Sequence, residues 1–189
     1  MRNLVLILGD QLNRDASAWD GFDPAQDCAW MAEVADESTH VWSAKARIAL
    51  FLAAMRHFAA ELRADGVPLI YHPLDAHPDL SAALAATMAA TRPQRLVVTE
   101  PGDWRVLQAL AATAATYGIA LEIRDDRHFY CSRVDFARHA QGRKQLRMEF
   151  FYREQRRRFG VLMDGEQPVG GAWNYDAENR GSFDARGPG

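Results

Sequence analysis

The chain has 189 residues, enough for one ordinary domain with a sizeable core, and its 48% hydrophobic and 25% charged content is that of a soluble globular protein. It contains no apolar run near the length of a membrane span and no basic segment followed by a cleavable apolar one, so it reads as cytoplasmic. Its two cysteines, Cys28 and Cys131, stand far apart and outside any CxxC spacing, which suits reduced thiols rather than a disulfide framework. The net charge of −3 hides an asymmetry: residues 124–158 carry 11 Lys and Arg against 5 Asp and Glu, and the rest of the chain carries −9. Such polarity marks either solvated helix faces or a surface that meets a polyanion.

In chain order, "NLVLIL" at 3–8 predicts a buried strand and "AWMAEV" at 29–34 a second. The connection across 10–28 is the longest irregular one, with a helical piece expected or a segment packed over the crevice. Apolar spacing of three and four through Ile48, Phe51, Leu52, Met55, Phe58, Ala59 and Leu62 predicts one helix over 44–65, stopped by Gly66. Strand 67–72, helix 78–91, strand 95–99, helix 103–117 and strand 119–123 follow, with Asp79 and Asp103 placed to cap their helices. This order predicts an α/β fold, a Rossmann-like, mostly parallel five-stranded sheet with helices on both faces. Residues 1–123 form that domain and 124–180 a basic helical and turn-rich segment, with helices at 133–140 and 145–160. The last nine residues, "GSFDARGPG", read as a disordered end.

Open α/β sheets bind ligands outside the carboxyl ends of their strands. Asp10 and Gln11 follow the first strand directly; Glu33 ends the second, with Asp36 and Glu37 a turn later. Neither GxGxxG nor GxxxxGK[ST] is present, so the backbone N–H cradle that phosphate requires is missing. A rim of carboxylates suits a neutral heterocycle rich in N–H and O–H donors. Asp10 and Gln11 could equally do no more than tie down the loop, and oxygen ligands also suit magnesium, though no spacing specifies a metal. The six histidines share no ligand spacing.

Five stretches occur in one order: "LVLILGDQL" (4–12), "MRHFAAELRADG" (55–66), "TEPGDWRV" (99–106), "GRK…RMEFFYREQRRR" (142–158) and "LMDGEQPVGGAWNYDAENR" (162–180). Together they resemble the N-terminal part of the iron–sulfur bacterial cryptochromes and photolyases, the deoxyribodipyrimidine photolyase-related group that includes bacterial (6-4) photolyases. The resemblance implies a light-harvesting domain that binds the antenna pigment 6,7-dimethyl-8-ribityllumazine and passes excitation to FAD in a helical C-terminal domain. By motif, Gly9, Asp10, Glu33 and Glu37 match the pigment-site positions, with Phe51 on the following helix. Three departures stand out: Ala32 replaces a small thiol, His40 an aromatic hydroxyl, and Phe51 a smaller aliphatic side chain.

The resemblance also implies FAD and a [4Fe-4S] cluster in that C-terminal domain, and damaged DNA as partner of the complete protein. Two cysteines cannot supply a four-thiolate site, so this chain alone is expected to lack repair activity. In the basic segment, Phe150, Phe151 and Tyr152 with Arg153, Arg156 and Arg157 are expected to form one helical surface, for docking on the flavin domain or for DNA phosphates. Asn179 and Arg180 close the last motif and share that expectation, while Trp104 and Trp173 are expected to pack in a core or between domains. Two rival readings are an adenine-nucleotide-binding α/β domain and a non-catalytic remnant that acts in protein association.

Overall fold

The structure is a computed structural model that describes residues 1–176 and residue 187. It divides into two compact units, Met1–His128 and Phe129–Gly189. Among the described residues no helix is long and apolar enough to cross a membrane.

The first unit is built on five strands: β1 (Asn3–Leu6), β2 (Cys28–Ala32), β3 (Leu69–His72), β4 (Arg95–Thr99) and β5 (Ala120–Arg124). They lie in the order β3-β2-β1-β4-β5 and every pairing is parallel. Strand β1 sits in the middle and is buried on both faces, which its unbroken apolar run after Asn3 requires. Leu6 stands level with Trp30 on one side and Val98 on the other.

The two-residue period of the strands sorts their side chains into two cores. Leu4, Leu6, Trp30, Leu96 and Val98 pack under α3 (Leu80–Thr91) and α4 (Trp104–Thr116), meeting Leu84, Met88 and Leu110. Val5, Ile7, Met31 and Val97 face the other way, onto Met55, Phe58, Ala59 and Leu62 of α2 (Lys45–Ala64). The caps are as expected: Asp79 accepts from the Ala82 N–H at 2.8 Å and Asp103 from the Arg105 N–H at 2.7 Å.

One helix of this unit was not predicted. A five-residue helix, α1 (Ala35–Thr39), follows β2 directly and buries none of its side chains, so it left no apolar period to find. The helical piece expected in the 10–28 connection is a single 3₁₀ turn, Ser17–Trp19, with no α-helix. Thr99 pins that turn: its Oγ1 accepts from the Ala18 N–H at 3.0 Å and lies 3.1 Å from Ser17 Oγ. Arg124 adds donations to the carbonyls of Ser17 (2.9 Å) and Asp20 (2.8 Å).

The second unit contains α5 (Arg133–Ala140), opened by a reciprocal capping box between Ser132 and Asp135, and α6 (Met148–Phe159), which starts after the uncapped Arg147. Two short antiparallel strands, β6 (Met163–Asp164) and β7 (Gln167–Pro168), close a two-residue turn. Gly165 takes a φ of 55° at its first central position, the placement a type II′ turn gives to glycine. The 181–189 tail lies almost wholly outside the described residues.

At the amino ends of β1 and β2 the side chain of Asp27 is fully buried and accepts from Arg2 Nε at 2.9 Å and from the N–H groups of Asn3 and Asp23, each at 3.0 Å. Burial alone would raise this carboxyl, but the Arg2 guanidinium and the two backbone donors outweigh it and hold it at about 2. Folding thus favours the ionised form, so the stabilisation is complete above the ordinary aspartate range and fades as pH falls through about 2. Asp27→Asn should lower unfolding free energy by about 2–3 kcal/mol at neutral pH. In urea unfolding at stepped pH, the gap between variant and parent should narrow steadily below pH ~4.

Candidate functional site: a cleft where the strand order reverses

From β1 the chain moves outward to β2 and β3, then returns across the sheet to β4 and β5. The connections leaving β1 and β4 therefore diverge, and a crevice opens above their carboxyl ends. Gln11 spans its base, its Nε2 donating to the carbonyls of Thr99 (3.0 Å) and Glu100 (3.1 Å). That side chain ties the two loops together, one of the two duties open to it from sequence.

A cavity of about 250 Å³ fills this crevice. Ile7, Leu8, Gly9 and Ala32 from the strand ends form its floor, and Leu80, Val106 and the 101–103 turn form one wall. The other wall is α2, in a way the periodicity did not anticipate. Of the seven-residue apolar stripe only Met55, Phe58, Ala59 and Leu62 are buried. Ile48 and Phe51, in the first turns, face the cavity instead of the sheet, and Leu52 is shared between the cavity and the core. Phe51 lies against Gly9 so closely that a Cβ at Gly9 would sit 2.5 Å from its ring and 2.9 Å from Met55 Sδ. A side chain at Gly9 would have to displace the Phe51 ring and Met55 Sδ, so glycine is favoured there by contact rather than by a positive φ.

All five residues expected at the pigment site, Gly9, Asp10, Glu33, Glu37 and Phe51, line this one cavity. Their carboxylates are not equivalent. Glu33 is buried, and its Oε1 accepts from Arg56 Nε (2.7 Å) and the Tyr71 hydroxyl, its Oε2 from Arg56 Nη2 (2.8 Å) and the Leu74 N–H (3.0 Å). A carboxylate has roughly four acceptor positions, and these donors take all of them. The Arg56 bond above all, joined by Tyr71 and Leu74, outweighs burial and keeps Glu33 below the ordinary glutamate range. Glu37 is held by both terminal nitrogens of Arg105, at 2.9 and 3.0 Å, and Arg105 also lies within 3.5 Å of Asp36 and 3.4 Å of Asp103.

Only Asp10 is left without a side-chain partner among the described residues. Its carboxyl is raised above the ordinary aspartate range, first by the protein atoms crowding it and then by the like charges of Glu37, Asp126 and Asp103. The rim is therefore not uniformly acidic, as its sequence suggested, but an acidic set with Arg105 inside it. Arg105, Arg56 and Tyr71 come from three distant elements, and no local pattern announces them.

Beneath the cavity, the buried Trp30 donates its indole N–H to Thr87 Oγ1 at 2.9 Å. Thr87 sends its own proton to the Ala83 carbonyl at 3.1 Å, so His72 Nε2, 2.7 Å away, carries a hydrogen toward it. His72 Nδ1 is then the acceptor for His77 Nε2 at 3.1 Å, and burial, with His77 beside it, pushes the His72 ring below the ordinary histidine range.

In the second unit the aromatic residues of α6 do not share one surface, since successive helical side chains diverge by about 100°. Phe151 turns inward onto Phe136 (5.2 Å) and His139 (4.8 Å), while Phe150 and Tyr152 are exposed. Arg156 is buried and donates to the carbonyls of Val161 (3.1 Å) and Leu162, closing the helix end. Arg153, Arg156 and Arg157 gather over Trp173 at 5.5, 5.3 and 4.5 Å. Trp173 is thus packed within its own unit, whereas Trp104 opens α4 largely exposed. Asn179 and Arg180 lie outside the described residues.

Because Glu33 links β2 to α2, β3 and the turn after it, Glu33→Gln should cost about 2–3 kcal/mol, with the Arg56 charge left unmatched. Chemical denaturation of parent and variant measures this, and Tyr71→Phe, which removes one hydrogen bond, should cost about 1 kcal/mol.

Sequence comparison extends over both units. The model of the family described as deoxyribodipyrimidine photo-lyase-related protein matches residues 5–188. A (6-4) photolyase of Agrobacterium fabrum is 47% identical over 183 residues, covering 95% of this chain and 36% of that protein. An uncharacterized protein of Acanthamoeba polyphaga mimivirus is 24% identical over 132 residues, covering 68% of this chain and 66% of that protein. The chain spans little more than a third of the length of the photolyase it matches. It belongs to the deoxyribodipyrimidine photo-lyase-related protein family.

Proposed function

We propose that the first unit is a light-harvesting module of a photolyase- or cryptochrome-like flavoprotein and holds 6,7-dimethyl-8-ribityllumazine in the cleft where the strand order reverses. One observation carries the reading. The first turns of α2 present an apolar wall, Ile48 and Phe51, to a cavity rather than to the sheet, with Leu52 shared between the two, and the accessible carboxylate at its rim, Asp10, has no side-chain partner among the described residues. A flat heterocycle fits between such a wall and the strand ends. A polyol tail offers hydroxyl donors to Asp10, and Glu37 keeps acceptor positions beyond those that Arg105 fills.

The volume of about 250 Å³ lies below the usual ligand pocket of about 300–1,000 Å³, which favours a bicyclic ring over a dinucleotide. Glu33 serves by building the wall, since its acceptor positions are filled from within the fold. When bound, the lumazine supplies absorption of violet light and the excitation passed to a flavin. In this reading the FAD, the [4Fe-4S] cluster and the contact with damaged DNA belong to the remainder of a full-length relative.

Titrating the purified chain with 6,7-dimethyl-8-ribityllumazine, followed by pigment fluorescence and absorbance, tests the proposal. The parent should bind at one site, and Asp10→Asn should weaken binding about tenfold, the scale of one charge-assisted hydrogen bond. Absence of pigment binding by the parent, or unchanged affinity in the variant, overturns the site as drawn. Thermal stabilisation by ATP without colour would instead support the adenine-nucleotide reading.

A further inference from the structure

The first part of the segment that crosses the rim of the cleft, residues 35–43, is fastened by charge alone. Residues 35–54 contain no buried side chain, although they run between Val34 and Met55, which are both in the core. Within that stretch, α1 brings Glu37 and Ser38 to the cavity, and the turn after it brings Ser43. The backbone bonds of α1 stay internal, His40 N–H to the Asp36 carbonyl at 2.9 Å, and Thr39 Oγ1 turns back to the Ala35 carbonyl at 3.0 Å. Val41 and Trp42 face solvent. The described polar ties from α1 to the rest of the unit all run to Arg105 at the start of α4: Glu37 in a two-pronged pair, Asp36 at 3.5 Å. Asp103, which caps α4, adds a contact at 3.4 Å that holds the Arg105 head over the rim.

We infer that α1 and the turn to Ser43 are a lid over the cleft and that Arg105 is the positioning residue that latches it. The argument is one of magnitudes. A segment with no apolar burial has nothing but these exposed ion pairs to oppose its own conformational freedom, and exposed pairs are weak and screened by salt. A lid fastened this way opens often and recloses without disturbing the core, because Glu33 and Val34 anchor one end and Met55 the other. The cleft therefore admits and releases a ligand at a rate set by Arg105, while most of its affinity rests on the cavity walls and Asp10, with Glu37 a minor acceptor.

The link between lid and ligand rests on the pigment reading above; the latch itself does not, and two measurements separate them. Millisecond-pulse hydrogen exchange of the ligand-free chain reports the latch. Raising NaCl from 20 to 500 mM should speed exchange across residues 36–43 of the parent by ~3–10-fold. Arg105→Gln should be fast at both salt concentrations, and Arg105→Lys should restore part of the salt response. Exchange across 55–62 should stay unchanged in all three proteins. Protection of 36–43 that is the same in Arg105→Gln as in the parent overturns the latch.

Stopped-flow release of 6,7-dimethyl-8-ribityllumazine reports the gate. Association and release should both rise by the same ~3–10-fold in Arg105→Gln, leaving Kd within about twofold. Unchanged release from a variant whose lid exchanges freely overturns the gating role. A chain whose lid answers to Arg105 but which never takes up the pigment supports the latch and overturns the pigment reading.

Discussion

A carboxylate buried beside the strand ends must be matched donor for donor, and Glu33 shows what that demands of the surrounding fold. Arg56 reaches it from α2, Tyr71 from β3 and the Leu74 N–H from the turn beyond, so one side chain fixes three elements at the same height. Removing any donor leaves part of a charge unmatched in a place water reaches poorly. The cleft is defined by this knot: it holds the middle of α2 against β2 and β3 and leaves the amino-terminal turns of that helix projecting beyond the sheet.

The sheet was legible in the sequence because its physics is local and repetitive. "NLVLIL", "AWMAEV" and "RLVVT" carry the continuous apolar runs of strands buried on both faces, and Asp79 and Asp103 stand where helices need caps. The 3.6-residue spacing gave α2 its extent but not its surroundings. Period alone does not distinguish Ile48, which lines a cavity, from Leu62, which fills a core. Elements lacking an apolar period went unseen: α1, and the hairpin around Gly165, whose Asp-Gly step was its only mark.

The site was partly legible for a related reason. Gly9, Asp10, Glu33, Glu37 and Phe51 follow strands or lie on the next helix, so topology brings them to one rim. What sequence could not give was the division of labour among the acids, because it depends on arginines contributed from α2 and α4. Arg56 lies 23 positions from Glu33, and Arg105 lies 68 from Glu37. The same limit applied to α6, where a run of arginines looked like one basic face. In the structure Arg156 is drawn inward to close the helix end, and it shares Trp173 with the half-buried Arg153 and the exposed Arg157.

The half-covered state of α2 has a consequence for how such a protein can change. From Met55 onward the helix is bound to the sheet, and substitution there is constrained by close packing. Before Met55 the same helix buries no side chain fully, so Ile48 and Phe51 are constrained by the cavity and by Gly9 rather than by the sheet, while Leu52 still reaches the core. The two ends of one rod thus answer to different constraints, close packing at its carboxyl half and the shape of an open cleft at its start.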